Sequence, residues 1–213
     1  MQDIRICFIG DSFVNGTGDE TCLGWAGRLC ATAQTDDISV TYYNLGIRRN
    51  TSKDILQRWE QDCAQRLPDF CDGRVVLSCG VNDMVIETDQ LRVSPEDSCD
   101  NVRQILQLAA AKYKTIMVGP APVGDDTLNT RLKTISEFYA HEAKVLGIPY
   151  VEVFSHLISD QRYLQESKKN DGYHPKSYGY AEIAKIITAS NNWWFKQPLN
   201  DPTHLISRRR TIT

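Results

Sequence analysis

Five short apolar runs recur along the chain, and each one stops at glycine or polar residues. The first, Ile4 to Ile9, is interrupted only by Arg5 and breaks at Gly10-Asp11-Ser12. Ser39 to Leu45, Val75 to Cys79, Thr115 to Val118 and Tyr150 to Phe154 follow. The first three of these break at Gly46, at Gly80-Val81-Asn82-Asp83 and at Gly119-Pro120-Ala121-Pro122, and the last leads into a polar segment that continues to Asn170. A short, nearly unbroken apolar run is the pattern of a strand buried on both faces, the condition of parallel strands in an open sheet.

Helical spacing fills the intervals. A helix is expected near Trp25 to Ala33. Thr51 with Asp54 three residues on reads as a capping box, after which Ile55, Trp59 and Cys63 lie on one face, with Pro68 closing the segment. Ser94-Pro95-Glu96-Asp97 opens a further helix with Val102, Ile105, Leu106 and Ala109 inward. Leu128 to Leu146 carries Leu132, Ile135 and Tyr139 before Gly147 and Pro149, and a last helix turns Tyr180, Ile183, Ala184 and Ile187 inward. Strand and helix alternate strictly, which predicts a single three-layer α/β/α domain over residues 1–190. Its sheet has five parallel strands in the flavodoxin-like order 2-1-3-4-5. Residues 191–213 are expected to form a C-terminal tail, with Trp193-Trp194-Phe195 packed on the domain or on a second subunit and Arg208 to Arg210 solvated.

Composition narrows the function classes. The 213 residues are 41% apolar and 24% charged, enough for one self-sufficient core, and the net charge of −3 offers no basic field to nucleic acid. No apolar run reaches the length of a membrane span, about 18 residues, and Asp3 and Arg5 interrupt the N-terminal stretch, unlike a signal peptide. A cytoplasmic protein without membrane insertion is the expectation. Seven cysteines, an odd number with no C-x-x-C pair, argue against both a disulfide framework and a zinc site. Oligomeric state is not encoded in any of these features.

On the predicted topology, polar groups lie just past four strand ends: Ser12, Gly46, Asn82, and Asp171 with His174. Acyl transfer needs such a set, namely a nucleophilic hydroxyl, an imidazole to take its proton, a carboxylate to orient the ring and donors for the oxyanion. Asp171 and His174 are three residues apart, so one turn brings the carboxylate to one ring nitrogen while the other is left for Ser12; Pro175 keeps His174 extended. His141, His156 and His204 have no carboxylate at a comparable loop spacing and read as structural or solvated.

From Ile4 to about Ser190 these motifs resemble the SGNH or GDSL-type serine hydrolases. The resemblance implies that Ser12 is the nucleophile and also lends its amide to the oxyanion hole. It further implies that Gly46, in Asn44-Leu45-Gly46, gives a second amide and that Asn82, in Gly80-x-Asn82-Asp83, gives a side-chain donor. Asp171 and His174 of the Asp-x-x-His-Pro block would be acid and base. The substrate would be a small acyl ester, with thioesters, lysophospholipids and acetylated sugars within the class, and no cofactor would be needed. Two positions depart from the pattern: Phe13 stands where leucine gives the family its name, and Arg48-Arg49 follow Gly46 where small residues are common. The arginines point either to an acidic or hydroxyl-rich substrate or to ordinary solvation. Asp11 and Asp83 read as loop hydrogen-bonding partners, and Met84, Val85 and Ile86 either line an acyl pocket or pack beneath their loop.

Other readings fit fewer residues. Val14 occupies the last glycine position of a G-x-S-x-G elbow, and neither a P-loop nor a dinucleotide fingerprint is present. A flavodoxin-like anion- or nucleotide-binding module explains Ser12 and Gly46 but not Asp171-x-x-His174. A metal-dependent phosphoryl-transfer site of Asp11, Asp83 and Asp171 leaves Ser12 and Asn82 idle.

Overall fold

The computed structural model describes residues 2–195. Five parallel strands form one sheet: β1 (Gln2–Gly10), β2 (Ile38–Gly46), β3 (Asp72–Ser78), β6 (Lys114–Val118) and β7 (Tyr150–Val151), in the order β2-β1-β3-β6-β7. Between β3 and β6 lies a separate antiparallel hairpin, β4 (Ile86–Glu87) and β5 (Gln90–Leu91). Without that hairpin the order is the expected 2-1-3-4-5. The helices are α1 (Ser12–Asn15), α2 (Gly24–Ala33), α3 (Ser52–Ala64), α4 (Pro95–Ala110), α5 (Asp126–Val145), α6 (Phe154–Ile158), α7 (Gln161–Lys169) and α8 (Ser177–Ala189). α2 packs on α8, while α3, α4 and α5 pack side by side, which gives the three layers.

The core follows from the strand pattern. Ile4, Ile6, Phe8 and Ile9 of β1 and Val75, Val76 and Leu77 of β3 are buried. Helical partners close over them: Trp25 of α2 meets Phe8 edge-on with ring centres 5.5 Å apart. Ile55, Trp59 and Cys63 of α3 are buried as their spacing requires. Complete burial of one large apolar side chain contributes about 1.5–3 kcal/mol, so the continuous apolar runs of the strands, covered on both faces, are what hold the layers together. α3 starts with the expected box, in which the Thr51 side chain and Asp54 each accept from the other's amide; α4 starts with Ser94 as cap and Pro95 in its first turn.

Register sets up everything above the sheet. Gly10 is level with Gly46 on one side and with Ser78 on the other, so the segments after β1, β2 and β3 leave the sheet at the same height and side by side.

Three stretches differ from expectation. The fifth strand ends at Val151, because Phe154 already belongs to α6. The polar segment before Asn170 holds α7, capped by Asp160, whose carboxylate accepts from the Arg162 and Tyr163 amides. Only Tyr163 and Ser167 of α7 are buried, too narrow an apolar face to read from the sequence. Residues 191–195 return to the body: Trp193 is buried, and the half-buried Trp194 and Phe195 hold the Arg74 guanidinium 5.1 and 5.0 Å from their ring centres. Arg208 to Arg210 and His204 lie outside the described residues.

Candidate active site

The carboxyl end of β1 turns sharply into α1. Asp11 makes the turn: its Oδ1 accepts from the Phe13 amide at 2.9 Å and caps the short helix, leaving Ser12 as the first helical residue. Asp11 is buried, and desolvation raises its pKa to about 7 against the opposing pull of the Phe13 amide. The Ser12 amide, in the first turn of α1, has no hydrogen-bond acceptor among the described residues.

His174 comes from the loop between α7 and α8, more than 160 positions along the chain, and meets Ser12 directly. Its Nε2 is 2.7 Å from Ser12 Oγ, and its Nδ1 is 2.7 Å from Asp171 Oδ2. Asp171 Oδ1 accepts from the amides of Tyr173 and His174 at 3.0 and 2.8 Å, so the loop holds the carboxylate in place as the carboxylate holds the ring. Asn170 Nδ2 donates to the His174 carbonyl at 3.0 Å, and Phe13 lies against the imidazole with ring centres 5.0 Å apart. Both Ser12 and His174 are almost wholly buried.

The electrostatics follow from that burial. Desolvation lowers the His174 pKa below its ordinary 6.5; the hydrogen bond and charge of Asp171 oppose it, and the positive charge of Arg48 adds to it. For Asp171, desolvation works against ionisation, but the His174 amide, the imidazole and the Tyr173 amide overcome it and hold the carboxyl below its ordinary 3.8. At neutral pH the pair is therefore a neutral imidazole beside a carboxylate. The ring is ready to accept a proton at Nε2.

The Gly46 amide is turned away from the cleft that holds Ser12. Amides alternate in direction along a strand: the Ile47 amide donates to Gly10 of β1 at 3.1 Å, while the Gly46 amide points to the open edge and donates to Asn44 Oδ1 at 3.1 Å. Gly46 is also absent from the lining of the cleft above Ser12. Its lack of a side chain serves packing, because a Cβ there would come within 2.2 Å of Asn15 N and 2.5 Å of Asp11 O. The next turn, Ile47 to Asn50, reaches the cleft instead. Arg49 takes a left-handed φ of 67° in that turn, and its amide has no acceptor among the described residues.

Asn82, half-buried after β3, also lines the cleft. Its Nδ2 donates to the Asn50 carbonyl at 3.0 Å and, more weakly, to Asp11 Oδ2 at 3.3 Å. Asp83 is used structurally: it accepts from the Ser52 amide at 2.8 Å and from the Ser98 hydroxyl, tying α3 and α4 to the loop after β3. His141 and His156 are exposed on α5 and α6. Among the described residues no group of three His, Cys, Asp or Glu side chains is placed to hold a metal, and no helix is long and apolar enough to cross a membrane.

The cleft itself has a volume of about 270 Å³. Phe13, Val81 and Val85 give it apolar walls, whereas Met84 is buried beneath the loop and Ile86 is exposed away from it. Sequence reasoning missed one feature of its rim. The β4–β5 hairpin brings Glu87, which pairs with Arg49, and the following Arg92, which donates to the Arg49 carbonyl at 2.9 Å. The only local signal was the shortness of the segment from Met84 to Val93.

Residues 8–182 match the model of the GDSL-like lipase/acylhydrolase family. Similar solved structures include Axe2, an acetylxylan esterase from Geobacillus stearothermophilus, with TM-score 0.72, 18% identity and coverage of 92% of this chain and 97% of that one. The α/β hydrolase LAE5 from the metagenome of Lake Arreo has TM-score 0.72 and 21% identity, over 88% and 94% of the two chains. The lipase/acylhydrolase of Enterococcus faecalis has TM-score 0.71 and 19% identity, over 94% and 100%. At these identities the likeness is one of fold. Among curated proteins no match was found.

Proposed function

Because the chain belongs to the GDSL-like lipase/acylhydrolase family, and is thereby a hydrolase acting on ester bonds, we propose that Ser12, His174 and Asp171 cleave a small acyl ester through an acyl-enzyme. The observation that carries this reading is the continuous chain of contacts from Ser12 Oγ through the imidazole to Asp171, 2.7 Å at each step. The distances suit proton transfer, and the lowered His174 pKa supplies the neutral base at physiological pH.

Ser12 Oγ attacks the ester carbonyl as its proton passes to His174 Nε2, and the carbonyl electrons move onto oxygen. The oxyanion is held by the Ser12 amide, by Asn82 Nδ2 and, in the place where the sequence suggested Gly46, by the Arg49 amide. Asn82 gives up its longer contact to Asp11 when it turns a proton toward the oxyanion. Collapse expels the alcohol, which takes the proton from His174. Water, deprotonated by the same ring, then attacks the acyl-Ser12 ester, and a second collapse releases the acid and restores the hydroxyl. Asp171 keeps the ring oriented and stabilises the imidazolium formed in each half.

The cleft is small, and acetyl esters of carbohydrates, the substrate class in the name of the Geobacillus neighbour, fall within the range that it accommodates. Labelling with a fluorophosphonate followed by peptide mapping is the test. Stoichiometric modification of Ser12, blocked by prior acylation with a carbamate ester whose adduct hydrolyses slowly, is expected; an unlabelled Ser12 in folded protein overturns the reading.

A further inference from the structure

Three arginines line the cleft that holds Ser12 and His174: Arg48, Arg49 and Arg92. Two of them are spoken for. Arg49 pairs with Glu87, and Arg92 lies with its Nε 3.6 Å from the same carboxylate while its Nη2 donates to the Arg49 carbonyl. The other carboxylate of the lining, Asp171, is committed to His174. Counting the lining with His174 neutral, three positive charges face two negative ones, 3 − 2 = +1. Of the three, Arg48 is the one that makes no salt bridge and no side-chain hydrogen bond among the described residues.

The base of Arg48 is nevertheless firmly held. The Asn50 amide closes the turn on the Ile47 carbonyl at 3.2 Å, and Arg58 ties the turn to the sheet through Asn50 Oδ1 at 2.8 Å and through the Gly10 and Leu45 carbonyls, each at 2.9 Å. Asn82 holds the Asn50 carbonyl from the other side. An exposed guanidinium on a fixed backbone, with no internal partner among the described residues and at the same small cleft as a serine hydroxyl, is available to receive an anion. Its field is felt at the reaction centre, since it contributes to the lowering of the His174 pKa. Arg48 is itself exposed at the rim of the cleft, so an anion can reach it from solvent.

Building on the ester-hydrolase reading, we infer that Arg48 forms an anion subsite and that the preferred substrate is an ester bearing a negatively charged group, a carboxylate or phosphate, close to the scissile carbonyl. The charged group can belong to the acyl part, as in a dicarboxylic acid monoester, or to the alcohol. Guanidinium and carboxylate or phosphate match as a planar fork to two oxygens, so Arg48 would fix the orientation of the substrate as well as its affinity.

The experiment compares kcat/KM for matched pairs at low salt. The acyl arm is the p-nitrophenyl monoester of glutaric acid against p-nitrophenyl pentanoate; the alcohol arm is 3-carboxyphenyl butyrate against phenyl butyrate. One charged ester is expected to exceed its neutral partner by about tenfold or more, and the arm that shows it identifies the side that Arg48 serves. Arg48→Gln should lower that charged-to-neutral ratio about ten- to a hundredfold, mainly through KM, and Arg48→Lys should keep part of the preference. Ratios near one in both arms, or a ratio that Arg48→Gln leaves unchanged, overturn the inference. Ser12-dependent turnover of the neutral esters separates the two readings: if it persists while the ratios are flat, the anion subsite fails and the esterase reading stands, and if Ser12→Ala leaves it intact, the esterase reading itself fails.

Discussion

Ser12 and His174 meet inside the protein, and two measurements follow from their surroundings. Ser12→Ala removes the proposed nucleophile but leaves the amide of residue 12, Asn82 and the turn at Arg49 in place. Ester turnover should fall by about three to six powers of ten with an unchanged melting temperature. A variant retaining most of the turnover would displace Ser12 from the chemistry. The second measurement is a pH profile. The imidazole acts as base only when neutral, and burial first, with Arg48 adding to it, pushes its pKa below 6.5. On a neutral ester, kcat/KM should therefore rise with pH through a midpoint below 6.5 and level off above it. Asp171→Asn removes the charge that favours the imidazolium, so the midpoint should move further down while the plateau falls. A profile with its midpoint above 7 contradicts the desolvated base.

At the scale of elements, the close of β2 and the β4–β5 hairpin make opposite predictions. The carboxyl end of β2 lies against the α1 turn, and a methyl group at residue 46 would collide with backbone atoms of Asn15 and Asp11, which cannot swing aside as a side chain can. Gly46→Ala should cost about 2 kcal/mol, roughly 4–8 °C in Tm, and should impair activity by shifting Ser12. Lost activity at an unchanged Tm would restore Gly46 to a direct chemical role. The hairpin turns on Thr88 and Asp89, both left-handed with φ of 49° and 63°, the conformation that Asn-Gly adopts with least strain. Thr88→Asn combined with Asp89→Gly should stabilise the protein by about 1 kcal/mol and keep Glu87 at the cleft. Differential scanning calorimetry measures it, and an unchanged or lower Tm counts against strain at this turn.

For the molecule as a whole, the decisive dimension is the small cleft bounded by Phe13, Val81 and Val85 and by the arginine rim. Each buried methylene adds up to about 0.8 kcal/mol of binding only while there is space for it. Among neutral p-nitrophenyl esters, kcat/KM should peak between acetyl and hexanoyl and then decline, with no jump at the critical micelle concentration. A maximum at palmitoyl would require an apolar groove outside this cleft.

Much of this was legible in the chain because the information is local. Apolar runs that end abruptly at Gly10, Gly80 and Gly119 mark buried strands, Thr51 and Ser94 cap the helices that follow them, and the Asp171-x-x-His174 spacing lies within one loop. The sequence alone therefore determined the layered parallel architecture and the residues that gather at one end of it. Tertiary structure decided which groups in that gathering are available. The Gly46 amide is spent on Asn44 because of its direction in an edge strand, a property of pairing with β1 and not of residue type. Arg49 is paired with Glu87, 38 positions away, and Arg92 is turned to the Arg49 carbonyl, 43 positions away, so of the three arginines lining the cleft Arg48 is the one without a partner among the described residues. Hydrophobic periodicity is set by near neighbours, whereas the direction of an amide and the partner of a guanidinium are set by whatever the fold brings beside them.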